Sequence, residues 1–494
     1  MVFHRWRVEP TKRTLVGTLA LLLLASTTQA EPPKKRHPRQ TAGEDVVSYF
    51  DYGDRWTDGK VYLLEHVKNF QPSERRIPES RYGGRADKRV DGTGFFCTVQ
   101  ADGRWWLVDP EGCLYFAVGV NQLRYDKKNY GPEEEWARGA IALLRDNGFN
   151  SFTEASRPSA LEDPLPYASN LMLTFGYLIE NHIGDKRVWD APPLWEPELK
   201  QFVEKRCATI CTPLKDDPYL IGWFTDNEMH WSADALDRSY DLYENDEPYE
   251  ITAKTWQGEK KYTVRPNEMA SYRVVADWVK EHGFRKGEQG FSWEARQQFQ
   301  QFQATRYAKL VHDAIRKADP NHMILGARHV RQDVTCPEVF KGMGKYFDVI
   351  SLNYYGAWPP DPVVLKHLSI WSGKPVMITE FFAQSLETKP RYTRDGWIVK
   401  NQADRGKYYQ NTALACFQIP ECVGLQWFRY ADSTDANFGI VDIHTNPYDE
   451  LLQRMKAVNE VKYQLIDHLS RQPLDLSEVY DPLRTTEREV FSEP

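Results

Sequence analysis

Short apolar runs recur along the chain, each closed by a polar residue and most followed by a longer stretch of helical period. The first clear pair is "GFFCTVQADGRWWLVDPEG" (Gly94 to Gly112), two alternating runs flanking Asp102-Gly103, a dipeptide that favours a tight hairpin turn. A hairpin there would plug the bottom of a barrel or lead into its first strand. Eight strand-like runs follow: "LYFAVGVN" (Leu114 to Asn121), "FNSFTE" (Phe149 to Glu154), "ASNLMLTFG" near Leu171 to Gly176, "GWFTDNE" (Gly222 to Glu228), "HMILGARHV" (His322 to Val330), "FDVISLNYYG" (Phe347 to Gly356), "KPVMITEFF" (Lys374 to Phe382) and "CVGLQWFRYAD" (Cys422 to Asp432).

Between most of these runs the period changes to that of a helix. Pro132 opens and Gly148 closes "PEEEWARGAIALLRDNG". Phe299, Phe302, Leu310, Val311, Ala314 and Ile315 share one helical face, which Asp319-Pro320 ends. Leu451, Leu452, Met455 and Val458 repeat the spacing near the end of the chain. Eight strands alternating with helices predict an α/β fold, a (β/α)8 TIM barrel with loop insertions on its catalytic face. An open doubly wound sheet is the alternative. It usually carries a glycine-rich phosphate loop, and "KGMGKY" lacks both the third glycine and a preceding strand. The longest insertion, Ser232 to Gly290, is rich in Tyr, Trp and charge and is expected to shape a cleft on the catalytic face.

The barrel would occupy residues 94–470, with a wrapping segment at 44–93 and a C-terminal tail at 471–494. Residues 1–30 read as a secretory signal: Arg5, Arg7, Lys12 and Arg13, then the apolar run Leu15 to Ala25, then small residues at Thr28 to Ala30. An uncleaved membrane anchor is the other reading of this stretch. Residues 31–43, Pro-rich and basic, are expected to be a disordered lead-in. A secreted or periplasmic protein, with no membrane contact after signal removal, follows.

Composition narrows the partner. Loss of residues 1–30 removes four basic residues and one acidic residue, taking the formal charge from −7 to −10. An acidic chain binds nucleic acid poorly, and without a local positive patch it repels anionic polymers. A neutral or weakly charged ligand fits better. Aromatic residues make up 13% of the chain, with 16 Trp and 26 Tyr, enough to stack on flat apolar faces. Seven cysteines without zinc spacing suggest mostly buried thiols and one or two disulfides.

Reactive residues of such barrels sit at the C-terminal ends of strands. Those ends hold Asn121, Glu154, Asn227-Glu228, Arg328-His329, Asn353-Tyr354-Tyr355, Glu380 and Trp427. His230 and His329 are single, so neither a metal nor a cofactor is expected. Two Glu on strands four and seven, facing each other across the mouth among aromatic residues, suit glycoside hydrolysis. One protonates the departing oxygen and the other traps or stabilises the anomeric carbon. Burial and the second carboxylate's charge would keep the acid protonated. Asn121, Glu154, Arg328 and His329 are candidates for contact with the sugar or support of the groups that touch it.

"TDNE" and "ITEF" resemble the acid/base and nucleophile motifs of the large retaining glycoside hydrolase clan of (β/α)8 barrels. The resemblance implies Glu228 as acid/base, Glu380 as nucleophile and Asn227 on the sugar 2-hydroxyl. It also implies a strand-six tyrosine on the nucleophile, Tyr354 or Tyr355, with Tyr355 favoured because it shares a strand face with Asn353. Trp427 matches a strand-eight Trp that floors the subsite beside the bond. "GRWWLVDPEG…YFAVGVN", "GFNSF", "DPYLIGWFTDNE", "DPNHMILGAR" and "FDVISLNYY" look most like the β-agarase group, glycoside hydrolase family 50, over roughly residues 94–465. The expected function is a secreted retaining β-glycosidase that cleaves β-galactosidic bonds of agar-type polysaccharide or its oligosaccharides. The alternatives are an exo-acting β-galactosidase or other β-glycosidase, and a non-catalytic carbohydrate-binding protein.

Overall fold

The computed structural model describes residues 46–50, 56–127, 130–153, 164–180, 193–255, 258–388, 396–434 and 436–476. The expected signal peptide, the lead-in and Glu154 lie outside these residues, as does the tail from residue 477. Among the described residues, no helix is long and apolar enough to cross a membrane.

Runs that are apolar on both faces become short parallel strands covered on both sides. The eight barrel strands are Ala117–Asn121, Ser151–Thr153, Tyr167–Asn170, Leu220–Phe224, Met323–Gly326 with its continuation His329–Val330, Ile350–Asn353, Val376–Glu380 and Cys422–Trp427. Each pairs with the next, and strand eight pairs in parallel with strand one. The two edges of the sheet are the two halves of strand five, parted at Ala327-Arg328, so the sheet closes on itself. The (β/α)8 barrel read from the pattern is the fold observed. The third strand is the exception: it lies at Tyr167–Asn170, while Leu173–Glu180 is a helix. The run "NLMLTF" is apolar enough for either state, and its length alone could not decide between them.

Ala117, Ala168, Ile221, Phe224, Met323, Leu325, Val349, Met377 and Val423 fill the barrel interior. Tyr82, Phe96, Leu107 and Tyr115 belong to the same cluster and close it from the N-terminal end. Leu107 and Tyr115 lie in an antiparallel sheet, with Tyr82 and Phe96 in the segments leading into it, and its hairpin, Cys97–Ala101 and Arg104–Val108, turns at Asp102 (φ 52°) and Gly103 (φ 76°). Two successive left-handed residues are what a type I′ turn requires. Arg104 anchors the plug: its buried guanidinium donates to the carbonyls of Phe417 (2.7 Å), Ile419 (3.3 Å) and Cys422 (3.0 Å).

On the opposite face, Val46–Phe50 and Trp56–Lys60 form a hairpin that joins Ala383–Ser385 and Trp397–Val399 in a second sheet beyond strand seven. Tyr49 stacks on Trp358 with ring centroids 4.4 Å apart, and the Trp358 indole N–H donates to the Lys60 carbonyl (2.8 Å). The loop after strand six is thereby fastened to this hairpin. The insertion after strand four holds the helices Ala235–Asn245 and Ala270–Glu281 and a hairpin, Tyr249–Thr255 with Gly258–Val264. Its helices pack through Leu236, Val275, Trp278 and Val279 onto Ala295 and Phe299 of the helix Trp293–Ala318. All seven cysteines are free thiols, five of them buried.

Candidate active site

Strand four reaches the barrel mouth through Gly222, where a Cβ would stand 2.4 Å from the Met323 carbonyl oxygen; glycine lets strands four and five approach. Beyond it, Thr225 shares a hydrogen bond with the Tyr307 hydroxyl (2.7 Å). Asp226, fully buried, accepts from the backbone N–H groups of Thr174 (3.0 Å) and Phe175 (2.8 Å) and from the Tyr307 hydroxyl (2.8 Å). These bonds tie the strand to the start of helix Leu173–Glu180 and to helix Trp293–Ala318. Burial outweighs the three donors and pushes the Asp226 carboxyl up to about 6.

So anchored, the chain turns at Glu228, whose φ of 53° is left-handed. Its N–H points at the carbonyls of Ala327 and Arg328, 3.2 Å from each, across the split in strand five. Arg328 is also left-handed (φ 52°), as is Gln122 (φ 52°) at the end of strand one. Such conformations cost non-glycine residues of order 1 kcal/mol and gather where a side chain must be aimed.

Glu380 ends strand seven and is 7% exposed. Arg328 donates to its Oε1, and the Tyr355 hydroxyl donates to its Oε2 (2.6 Å). Donors on both oxygens favour an ionised, oriented carboxylate. Asn353, at the end of strand six, joins the two glutamates. Its Nδ2 donates to Glu228 Oε1 (2.8 Å) and lies 3.4 Å from Asn227 Oδ1. Its Oδ1 accepts from Thr379 Oγ1 (2.8 Å) and faces Arg328 Nε at 3.5 Å. A shift in strand register between Leu352 and Asn353 sets this orientation. Asn227 and Glu228 are half-buried at the mouth, open to a ligand on one side.

The remaining sequence candidates separate. Tyr354 faces away: it is buried, and its hydroxyl accepts from the Asp361 backbone N–H (3.0 Å), because neighbouring residues leaving a strand diverge. Trp427 does not floor a subsite. It is fully buried, its indole N–H donates to the Phe438 carbonyl (2.8 Å), and Phe381, Tyr409 and the Arg405 guanidinium cover it. His329 also leaves the cleft. As Arg328's neighbour it points outward, packs edge-on to Phe340 and lies 3.5 Å from Asp333 Oδ2. Asn121 is fully buried below the mouth, where its amide donates to the Thr379 carbonyl (2.6 Å) and accepts from Thr153 Oγ1 (2.7 Å). It braces strands one, two and seven and has no exposed surface for a sugar.

The half-buried ring at the end of strand eight is Phe428, one residue beyond Trp427. It packs against Phe382, which in turn contacts Tyr355. Phe428 and Asn353 are the site residues to which sequence reasoning gave no role. Asn353 was legible as a polar strand end, whereas nothing local distinguishes Phe428 from Trp427.

No known family model matches the chain. It is similar to β-agarase B of Vibrio sp. strain JT0107, 26% identical over 525 residues, covering 83% of this chain and 52% of that protein. β-Agarase A of the same strain is 23% identical over 475 residues, 76% of this chain and 47% of that protein. The chain thus spans about half the length of the curated relatives it matches. The crystal structure of BpGH50 superposes with a TM-score of 0.73 at 23% identity, covering 86% of this chain and 96% of that one. The structure of an exo-β-agarase superposes with a TM-score of 0.64 at 20% identity, covering 83% and 71%. These superpositions establish the shared fold.

Among the described residues, no group of three or more His, Cys, Asp or Glu is placed to hold a metal ion. The arrangement at the mouth offers one carboxylate paired with a guanidinium and a phenol, and a second carboxyl that accepts from an amide. Both belong to one hydrogen-bonded network, which can divide nucleophile from proton donor.

Proposed function

We propose that the chain is a retaining glycoside hydrolase acting on β-galactosidic bonds of agar-type polysaccharide or its oligosaccharides, secreted by means of residues 1–30. The observation that carries the reading is the network joining Glu228, Asn353, Arg328, Glu380 and Tyr355 at the C-terminal ends of strands four to seven. The sugar class rests on the similarity to proteins named β-agarase.

In the first step a Glu380 oxygen bonds to the anomeric carbon as the bond to the leaving oxygen breaks, and Glu228 gives that oxygen its proton. Arg328 and Tyr355 hold the Glu380 carboxylate for this attack. In the second step Glu228, now a base, takes a proton from water. The water oxygen bonds to the anomeric carbon and Glu380 leaves, so two inversions return the β configuration. Asn227 meets the sugar 2-hydroxyl, and the Phe428 ring offers an apolar face.

Glu228→Ala and Glu380→Ala should each lower turnover of agar oligosaccharide by at least about 10²-fold. Azide should restore turnover of an activated aryl galactoside by Glu228→Ala, with β-galactosyl azide as product, because the small anion needs no base to attack the glycosyl-enzyme. Near-wild-type turnover in either variant, or an α product by NMR, overturns the assignment. Sugar binding without turnover in the wild type would instead favour a carbohydrate-binding protein.

A further inference from the structure

We propose that Asn353 is a positioning residue that fixes the plane of the Glu228 carboxyl, from which the leaving group takes its proton. The proposal rests on the reading of Glu228 as acid. Asn353 is 1% exposed and held on two sides. A guanidinium only donates hydrogen bonds, so the amide atom facing Arg328 Nε must be the oxygen, and the Thr379 hydroxyl donates to that same atom. This turns Nδ2 toward Glu228, where one N–H reaches Oε1 at 2.8 Å. That contact fixes the carboxyl plane of Glu228. Because Oδ1 is held by Arg328 and Thr379, and Arg328 also holds Glu380, the aim of the acid is referenced to the nucleophile.

Asn353→Leu, close in size, and Asn353→Ala each remove the amide donor without adding charge beside Glu228. kcat/KM is measured on agar oligosaccharide, whose leaving alcohol needs a proton, and on a dinitrophenyl β-galactoside, whose phenolate does not. In both variants the oligosaccharide value should fall roughly 10²-fold while the dinitrophenyl value falls less than about threefold. The alkaline limb of the oligosaccharide pH profile should move to higher pH, since the ionised Glu228 has lost a donor that favoured it. A packing role alone moves neither the leaving-group dependence nor that limb. Equal falls on both substrates in the Leu variant, or an unmoved limb, overturn the proposal, and the Leu variant, close in size, decides even if the Ala variant does not fold. Glu228→Ala run on the same pair separates the two levels. Equal losses there overturn the reading of Glu228 itself. Selective loss there, with equal losses in the Asn353 variants, overturns the role of Asn353 alone.

Discussion

At the scale of single residues, the site depends on which of two neighbours turns inward. Tyr355 reaches Glu380 while Tyr354 does not; Arg328 reaches it while His329 does not. A hydrogen bond to a charged group contributes about 1.5–3 kcal/mol. On the proposed mechanism, Tyr355→Phe should therefore lower kcat roughly 10- to 10²-fold with little change in KM, since the ring still fills its place against Phe382. Steady-state kinetics check this, and an unchanged kcat would count against Tyr355 acting on the nucleophile. Asn353 and Tyr355 were both visible in "SLNYYG" as a polar strand end. Trp427 was legible as the end of strand eight, but the half-buried ring is one residue further, at Phe428. Counting along a strand does not detect the bends that set such a phase.

At the scale of elements, Asp226 is the joint between strand four, helix Leu173–Glu180 and helix Trp293–Ala318. Its carboxyl, pushed up to about 6 by burial, binds a proton more tightly in the folded protein than in the unfolded chain, where the value is 3.8. Its contribution to stability is thus fully present below about pH 4 and is lost as pH rises through about 6. Relative to Asp226→Asn, which cannot ionise, the wild type should lose about 3 kcal/mol of unfolding free energy between about pH 4 and about pH 7. Urea titrations of both proteins across that range test this, and a constant difference would refute it. The helices themselves were legible: the faces at Phe299 to Ile315 and at Leu451 to Val458 are buried, apart from the half-buried Phe302. Strand three was not, because a short apolar run without a turn signal fits strand and helix alike.

At the scale of the whole molecule, the barrel separates chemistry at one end from closure at the other. The plug hairpin with Arg104 lies at the N-terminal end, and the glutamate network lies at the mouth. Arg104→Ala removes a buried group and leaves three carbonyls with one donor fewer. It should cost about 2–4 kcal/mol of stability while leaving kcat/KM of the folded protein within about twofold. Urea unfolding and assays at low temperature check the two halves, and a loss of kcat/KM without loss of stability would contradict the division. The hairpin Val46–Phe50 and Trp56–Lys60, from the opposite end of the sequence to strands seven and eight, is fastened to the loops beside Tyr355 through Tyr49 and Trp358. No local pattern announces such a contact.

The alternation of apolar and helical periods determined the barrel, because strand and helix periodicities are local consequences of backbone geometry and burial. It also placed Glu228 and Glu380 at strand ends, since in a parallel barrel every strand ends on the same face. Only the tertiary structure decided which strand-end side chains meet. The split in strand five, the left-handed turns at Glu228 and Arg328 and the register shift before Asn353 each rotate a side chain by an amount set by neighbouring strands. Those rotations arise from packing between segments distant in sequence, so they bring Asn353, Arg328 and Tyr355 to the glutamates and leave Trp427, Tyr354 and His329 in the core.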